Sequence, residues 1–207
     1  MLTLYGVARS RATRPLWTLL ECGHPFDHKL VVQAYRADAM PGAMKTSDAE
    51  FLAINPIGQI PVMVDGALTL TESLAIAQYI ARRHGGALGA QSDAESALMQ
   101  QWALFAATAV EAPALEITYT LQDAAKGASA EGQAIVNVAA EKLRRPLAHL
   151  QAHLSGHSWM VGDRFTVADT CVAECLRYAQ SHPTLLGEFP AVKSWLERAQ
   201  ARPAFQK

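Results

Sequence analysis

The sequence predicts an α/β domain followed by an all-α domain, and three observations predict it. About the first 80 residues alternate short β-prone runs with amphipathic helical stretches, the pattern of strands joined by helical crossovers. A segment rich in Gly and Ala, residues 85–92, then breaks the pattern as a linker does. Beyond it every strong periodicity is helical: Leu98, Trp102, Phe105 and Ala109, then Leu143, Leu147, Leu150 and Leu154, then Val192, Trp195, Leu196 and Ala199. The expected organisation is therefore a domain over residues 1–84, a linker over 85–92 and a helical domain over 93–207.

Within the first domain, residues 2–5 form a β-prone run. Residues 14–22 place Leu16, Trp17, Leu19 and Leu20 at helical spacing and stop at Gly23, a C-terminal signal. Residues 29–32 read as a second strand. Residues 33–46 are small and polar, contain Pro41-Gly42, and read as a loop before a short helix over 48–53. Residues 60–64 and 68–70 flank Asp65-Gly66, which supplies the positive φ angles of a tight hairpin. A helix over 72–83 follows, stopped by Gly85-Gly86. The order is a βαβ unit and then a ββα unit, so two parallel strands joined by a right-handed crossover gain an antiparallel edge from the hairpin. In the second domain, residues 127–132 read as a turn between two long helices. Pro113 and Pro146 are expected to end or kink theirs.

Composition excludes several function classes. The chain has 207 residues, enough to bury a sizeable core without disulfide or metal staples. It is 50% hydrophobic and 18% charged, with 18 Lys+Arg against 19 Asp+Glu and a formal net charge of −1. A polyanion-binding protein concentrates basic residues at one place, and no such cluster is present. No run reaches the roughly 18 apolar residues of a membrane span, and Met1-Leu2-Thr3-Leu4-Tyr5 has neither the basic nor the apolar region of a signal peptide. A cytoplasmic protein that binds neither nucleic acid nor membrane is the expectation. Cys22, Cys171 and Cys175 form an odd set with no CxxC pair and read as reduced, buried thiols. No metal is expected, because Cys171 and Cys175 lack a completing His or carboxylate. His149, His153 and His157 are helically spaced, flank a Leu stripe without an acidic partner, and read as surface residues.

Three segments carry candidate chemistry. Ser10-Arg11-Ala12-Thr13-Arg14 lies between the first strand and first helix, where unpaired helix N–H groups favour an anion; Ser10 or Thr13 serves equally well as an N-cap. Asn55-Pro56-Ile57-Gly58-Gln59-Ile60-Pro61 places a proline at the start of a strand. A cis bond there leaves the Ile60 backbone free to pair with an extended peptide, whereas a trans proline simply protects an edge. Leu70-Thr71-Glu72-Ser73 begins the third helix. Ser73 and the first-turn N–H groups suit a carboxylate and Glu72 an ammonium, or the segment is an ordinary acidic cap. Thr166 and Asp169 fit a capping box, a structural role.

Together these segments resemble the cytosolic glutathione S-transferase superfamily over nearly the whole chain. The resemblance rests on Leu4-Tyr5-Gly6 through Ser10 and Arg14, on residues 51–62 with their NPxGQIP core, and on residues 70–80 beginning LTES. In the helical half it rests on residues 161–169, Pro190, Trp195-Leu196 and Arg202-Pro203-Ala204-Phe205. It implies a thioredoxin-like glutathione-binding N-terminal domain, an all-helical C-terminal domain and a homodimer. It also implies that glutathione is a co-substrate whose thiol is activated to attack a small hydrophobic electrophile. Glu72 and Ser73 would hold the γ-glutamyl group, Ile60 would pair with the cysteinyl backbone before a cis Pro61, and Gln59 would reach the glycyl carboxylate. For the thiol-activating group the resemblance points first to Ser10, four residues before Arg14, in a bacterial-type, serine-class-like pattern; Tyr5 ranks second and Arg11 third. Met99, Trp102, Phe105 and Tyr119 are the candidates for the electrophile's pocket. The same site also suits glutathione-dependent peroxide reduction, dehalogenation or isomerisation, and the fold is reused by non-catalytic glutathione-binding proteins.

Overall fold

The architecture comes from a computed structural model that describes all residues from Met1 to Lys207. Two compact units divide the chain, Met1–Gly89 and Ala90–Lys207.

The first unit is a five-stranded mixed sheet in the order β3-β2-β1-β4-β5. β1 (Thr3–Gly6) runs parallel to β2 (Asp27–Val32), which runs parallel to β3 (Met44–Lys45). β4 (Val62–Asp65) pairs antiparallel with β1, and β5 (Leu68–Leu70) antiparallel with β4 across the Asp65-Gly66 turn. β3 was not foreseen: only two residues long and set among small and polar neighbours, it has no periodicity to read. The same segment also holds a 3₁₀ turn, Ala34–Ala39.

Alternation along β1 sends neighbouring side chains to opposite faces. Leu2 and Leu4 pack with Leu19 of α1 (Thr13–Cys22), Met63, and Ile76 and Ile80 of α3 (Ser73–His84). On the other face Val31 and Val62 pack with Phe51 of α2 (Ala49–Ile54), and the half-buried Tyr5, Ile54 and Ile60 join them.

The second unit is all helix: α4 (Asp93–Phe105), α5 (Glu111–Gln122), α6 (Ala124–Ala128), α7 (Ala130–Leu154), α8 (Val167–Leu176) and α9 (Pro190–Gln200). Two expectations are corrected here. Residues 127–132 are not one turn, because Ser129 caps α7 by accepting from the Gly132 N–H at 3.0 Å and so draws Gly132 into the first turn. Pro146 does not end its helix: α7 runs through it, and the carbonyl it leaves unpaired one turn earlier belongs to the exposed Lys142. Pro113 sits in the first turn of α5, just after a π-helical stretch, Ala106–Val110, that joins α4 to α5.

α8 begins with the foreseen capping box. Asp169 Oδ2 accepts from the Thr166 N–H and hydroxyl, while Oδ1 accepts from the Met160 N–H and from Trp195 Nε1, both at 2.9 Å. One buried carboxylate thus ties the α8 start to the preceding loop and to α9, although burial pushes its pKa up to about 6.

Candidate functional site

The site is built where β1 ends and α1 begins. Gly6 allows the close approach: a Cβ there would lie 2.6 Å from the Ala12 Cβ, so any larger residue drives the start of α1 away from the strand. The Ser10 hydroxyl then lies at the amino end of α1, buried, donating to the Val7 carbonyl at 2.7 Å and accepting from the Ala12 N–H at 3.0 Å. Its backbone carbonyl takes the Thr13 N–H. Neither Ser10 nor Thr13 is the N-cap residue, which is Ala12, and the Thr13 hydroxyl is buried without a partner.

One helical turn on, Arg14 is buried at 2% exposure, and its Nη1 donates to Ser73 Oγ at 2.9 Å. Because Ser73 accepts from a guanidinium, its own proton is left to donate, which matches a carboxylate acceptor. Next to it Glu72 is exposed and holds φ +65° and ψ +106°, a backbone region costly for any residue with a Cβ. An ammonium acceptor and a carboxylate donor on consecutive residues are complementary to the α-amino acid end of a ligand.

The third part is the turn before β4. Asn55, almost fully buried, organises it: Nδ2 donates to the Gln59 carbonyl at 2.8 Å, Oδ1 accepts from the Ile57 N–H at 3.3 Å, and its backbone carbonyl takes the Gly58 N–H at 2.9 Å. The Ile60–Pro61 bond is cis. Ile60 lies outside the sheet ladder, which begins at Val62, and the Gln59 side chain is exposed. Pro61 and Ile60 approach the Gly6 position, since a Cβ at Gly6 would lie 3.8 Å from each.

Ser10, Arg14, Ser73, Ile60 and Pro61 therefore gather at one end of the sheet. Tyr5 does not join them. Its ring packs on the α2 face against Phe51, centroids 6.4 Å apart, whereas Ser73 belongs to α3 on the other face. Arg11 is exposed on the loop. Two residues that hold the site, Arg14 and Asn55, were passed over as functional. Arg14 is detectable as a cation one turn before Trp17 and Thr18 on the buried stripe of α1; Asn55 is detectable as a turn-forming side chain directly before Pro56.

The N-terminal domain model of the glutathione S-transferases matches residues 1–82, and their C-terminal domain model matches residues 107–203. Glutathione S-transferase 3 of Zea mays is 34% identical over 212 residues, covering 100% of this chain and 92% of that protein. The chain belongs to the glutathione S-transferase family. Among solved structures, glutathione transferase F7 of Populus trichocarpa is 29% identical with a TM-score of 0.82, covering 100% of this chain and 96% of that one. A theta class glutathione S-transferase from Xanthomonas axonopodis pv. citri, solved with glutathione bound, is 26% identical with a TM-score of 0.83, covering 99% and 95%. The expected bacterial-type, serine-class-like subtype is not supported, because the sequence relatives are plant phi-class transferases.

As in other glutathione S-transferases the second unit is helical, and it uses the candidate pocket residues unequally. Met99 and Trp102 are core, at 3% and 4% exposure. Trp102 lies 5.3 Å from His149 and 4.8 Å from His153, centroid to centroid, and Phe105 meets both Trp102 and His149 edge-on. His149 and His157 are exposed and His153 half-buried, so the three histidines form a surface ladder over this tryptophan. Tyr119 is 62% exposed and lines a cleft of about 490 Å³ with Glu116, Lys126 and Lys142. None of the three cysteines enters the site. Cys171 and Cys175 are buried, and burial, reinforced by the Glu21 charge, pushes the Cys22 thiol up to about 11.

Proposed function

We propose that this transferase ionises the thiol of bound glutathione and delivers the thiolate to a small hydrophobic electrophile. Free thiols titrate near 8.5, so only a few per cent is thiolate at neutral pH. A hydroxyl donating to the sulfur, backed by the positive end of α1, favours the anion. The proton leaves to water, the sulfur lone pair forms the new C–S bond, and the leaving group departs with its electrons. Positioning and the lowered thiol pKa account for the rate.

The supporting observation is the buried Ser10 hydroxyl beside the Arg14–Ser73 pair and the Ile60–Pro61 turn. Ser10 is the activating group, with Tyr5 and Arg11 behind it. Glu72 and Ser73 hold the γ-glutamyl end, the Ile60 backbone before Pro61 holds the cysteinyl residue, and Gln59 reaches the glycyl carboxylate. Phe105 and Tyr119 have ring surface left to offer the electrophile. The protein works as a cytoplasmic homodimer without a metal.

Ser10→Ala is expected to lower kcat at neutral pH by about tenfold or more and to move the pH–rate profile to higher pH, with a smaller change in glutathione affinity. An unchanged kcat and profile in that variant refutes the assignment. One observation favours a second reading: Ser10 already donates to Val7, so activation requires it to exchange that partner. A serine that never makes the exchange leaves a protein that binds glutathione without using it. Retention on immobilised glutathione together with no conjugation, peroxide reduction, dehalogenation or isomerisation decides for that reading.

A further inference from the structure

The loop that carries Ser10 is held by a residue from another part of the unit. Three successive carbonyls precede Ser10, and each has a donor. Val7 is taken by the Ser10 hydroxyl. Ala8 and Arg9 are taken by Arg36, whose Nη2 and Nη1 lie 3.4 Å from the two oxygens. Arg36 stands in the 3₁₀ turn Ala34–Ala39 after β2, fixed there by its own N–H to the Gln33 carbonyl at 2.8 Å. The guanidinium is a rigid planar fork, so two adjacent carbonyls held by its two amino groups lose a rotation that a single bond leaves free. The loop needs such a hold, since Arg9 adopts φ +59°, an uncommon conformation for a side-chain-bearing residue. No carboxylate of the chain pairs with Arg36 or Arg9. Their positive charge therefore stays uncompensated within two carbonyls of Ser10.

We propose that Arg36 is a positioning residue for glutathione activation, clamping the 7–10 loop so that Ser10 stays in place while its hydroxyl exchanges the Val7 carbonyl for the sulfur, and adding a cation to the loop that faces the forming thiolate. This rests on the assignment of Ser10 made above. Arg36 touches no reacting atom in this role; it acts through the two carbonyls and through its charge. Both effects favour the anionic sulfur more than bound neutral glutathione, so they appear in kcat and in its pH dependence more than in affinity.

The test compares Arg36→Gln, Arg36→Lys and Ser10→Ala with the wild-type enzyme in conjugation of glutathione to an activated aryl halide, from about pH 5.5 to 9. Arg36→Gln is expected to lower kcat by about tenfold, to move the pH profile of kcat/KM upward, and to leave the KM for glutathione within about twofold. Arg36→Lys restores the charge without the fork. It is expected to keep the pH profile near wild type while recovering only part of kcat, and it serves alone if the Gln variant does not fold. A wild-type kcat and profile in the Gln variant, or a rise in KM alone, overturns the proposal; in the Lys variant alone, wild-type kcat does so. A shifted profile in Ser10→Ala with none in Arg36→Gln defeats Arg36 only. An unshifted profile in Ser10→Ala defeats the Ser10 assignment beneath it.

Discussion

At the scale of single residues, the site carries strain and charge that stability alone would remove. Glu72 sits at φ +65°, a conformation that costs about 1–3 kcal/mol with a side chain present and little for glycine. Glu72→Gly is expected to raise the thermal midpoint, or at least not lower it, while weakening glutathione binding severalfold; calorimetric titration beside a melting curve separates the two effects. Arg14 presents the opposite case. Its guanidinium is buried and bonded to Ser73, and Arg14→Ala leaves that hydroxyl without its donor and a hole between α1 and α3. A loss of about 2–4 kcal/mol in urea unfolding is expected, with glutathione affinity falling as well. Glu72 and Ser73 stand out in the sequence as candidates because a short acidic and hydroxylic pair opens an amphipathic helix. The sequence marks Arg14 as a cation on a buried helix stripe but not its partner, because nothing along the chain announces which residue 59 positions later its guanidinium will meet.

At the scale of elements, the approach of α1 to β1 decides whether the site exists. Gly6→Ala forces a Cβ into the 2.6 Å gap beside Ala12, so the loss of turnover should exceed what the drop in stability accounts for. Finding kcat intact in a folded Gly6→Ala protein would show that the loop absorbs the displacement. Strands, helices and hairpin were legible because burial imposes periods of about 2 and 3.6 residues on them. β3 and the continuity of α7 through Pro146 were not. A two-residue strand is fixed by its pairing partner β2, and a proline survives in a long helix when tertiary packing outweighs one lost hydrogen bond. The side that Tyr5 faces was not legible either: strand alternation leaves two faces, and only the position of α2 shows that its ring faces Phe51.

At the scale of the whole molecule, each unit has its own core, and the helical one carries an acid-sensitive ion pair. In the helical unit, Glu95 near the start of α4 and Arg164 before α8 form a two-bond pair, 2.9 and 2.6 Å. Gly162 stands close by at φ +66°, where a Cβ would lie 3.1 Å from the guanidinium. The Arg164 guanidinium, with the Gln91 N–H, holds the Glu95 carboxyl down at about 2, against an ordinary 4.5. An acid depressed in the folded state stabilises it above its unfolded value, and that support fades as pH falls through the folded one. The gap in stability between wild type and Glu95→Gln should therefore be full above about pH 4.5 and close toward pH 2, as urea midpoints across that range will show. The half-exposed pair limits the gap at neutral pH to about 1 kcal/mol. Sedimentation at micromolar concentration tests the homodimer, a monomer being the adverse result. The placement of the cysteines has a practical side as well: with two thiols enclosed and the third held protonated to about 11, a thiol-alkylating dye at neutral pH finds almost no protein thiol to modify. Sulfhydryl consumption in a reaction mixture can then be read directly as the fate of the added tripeptide.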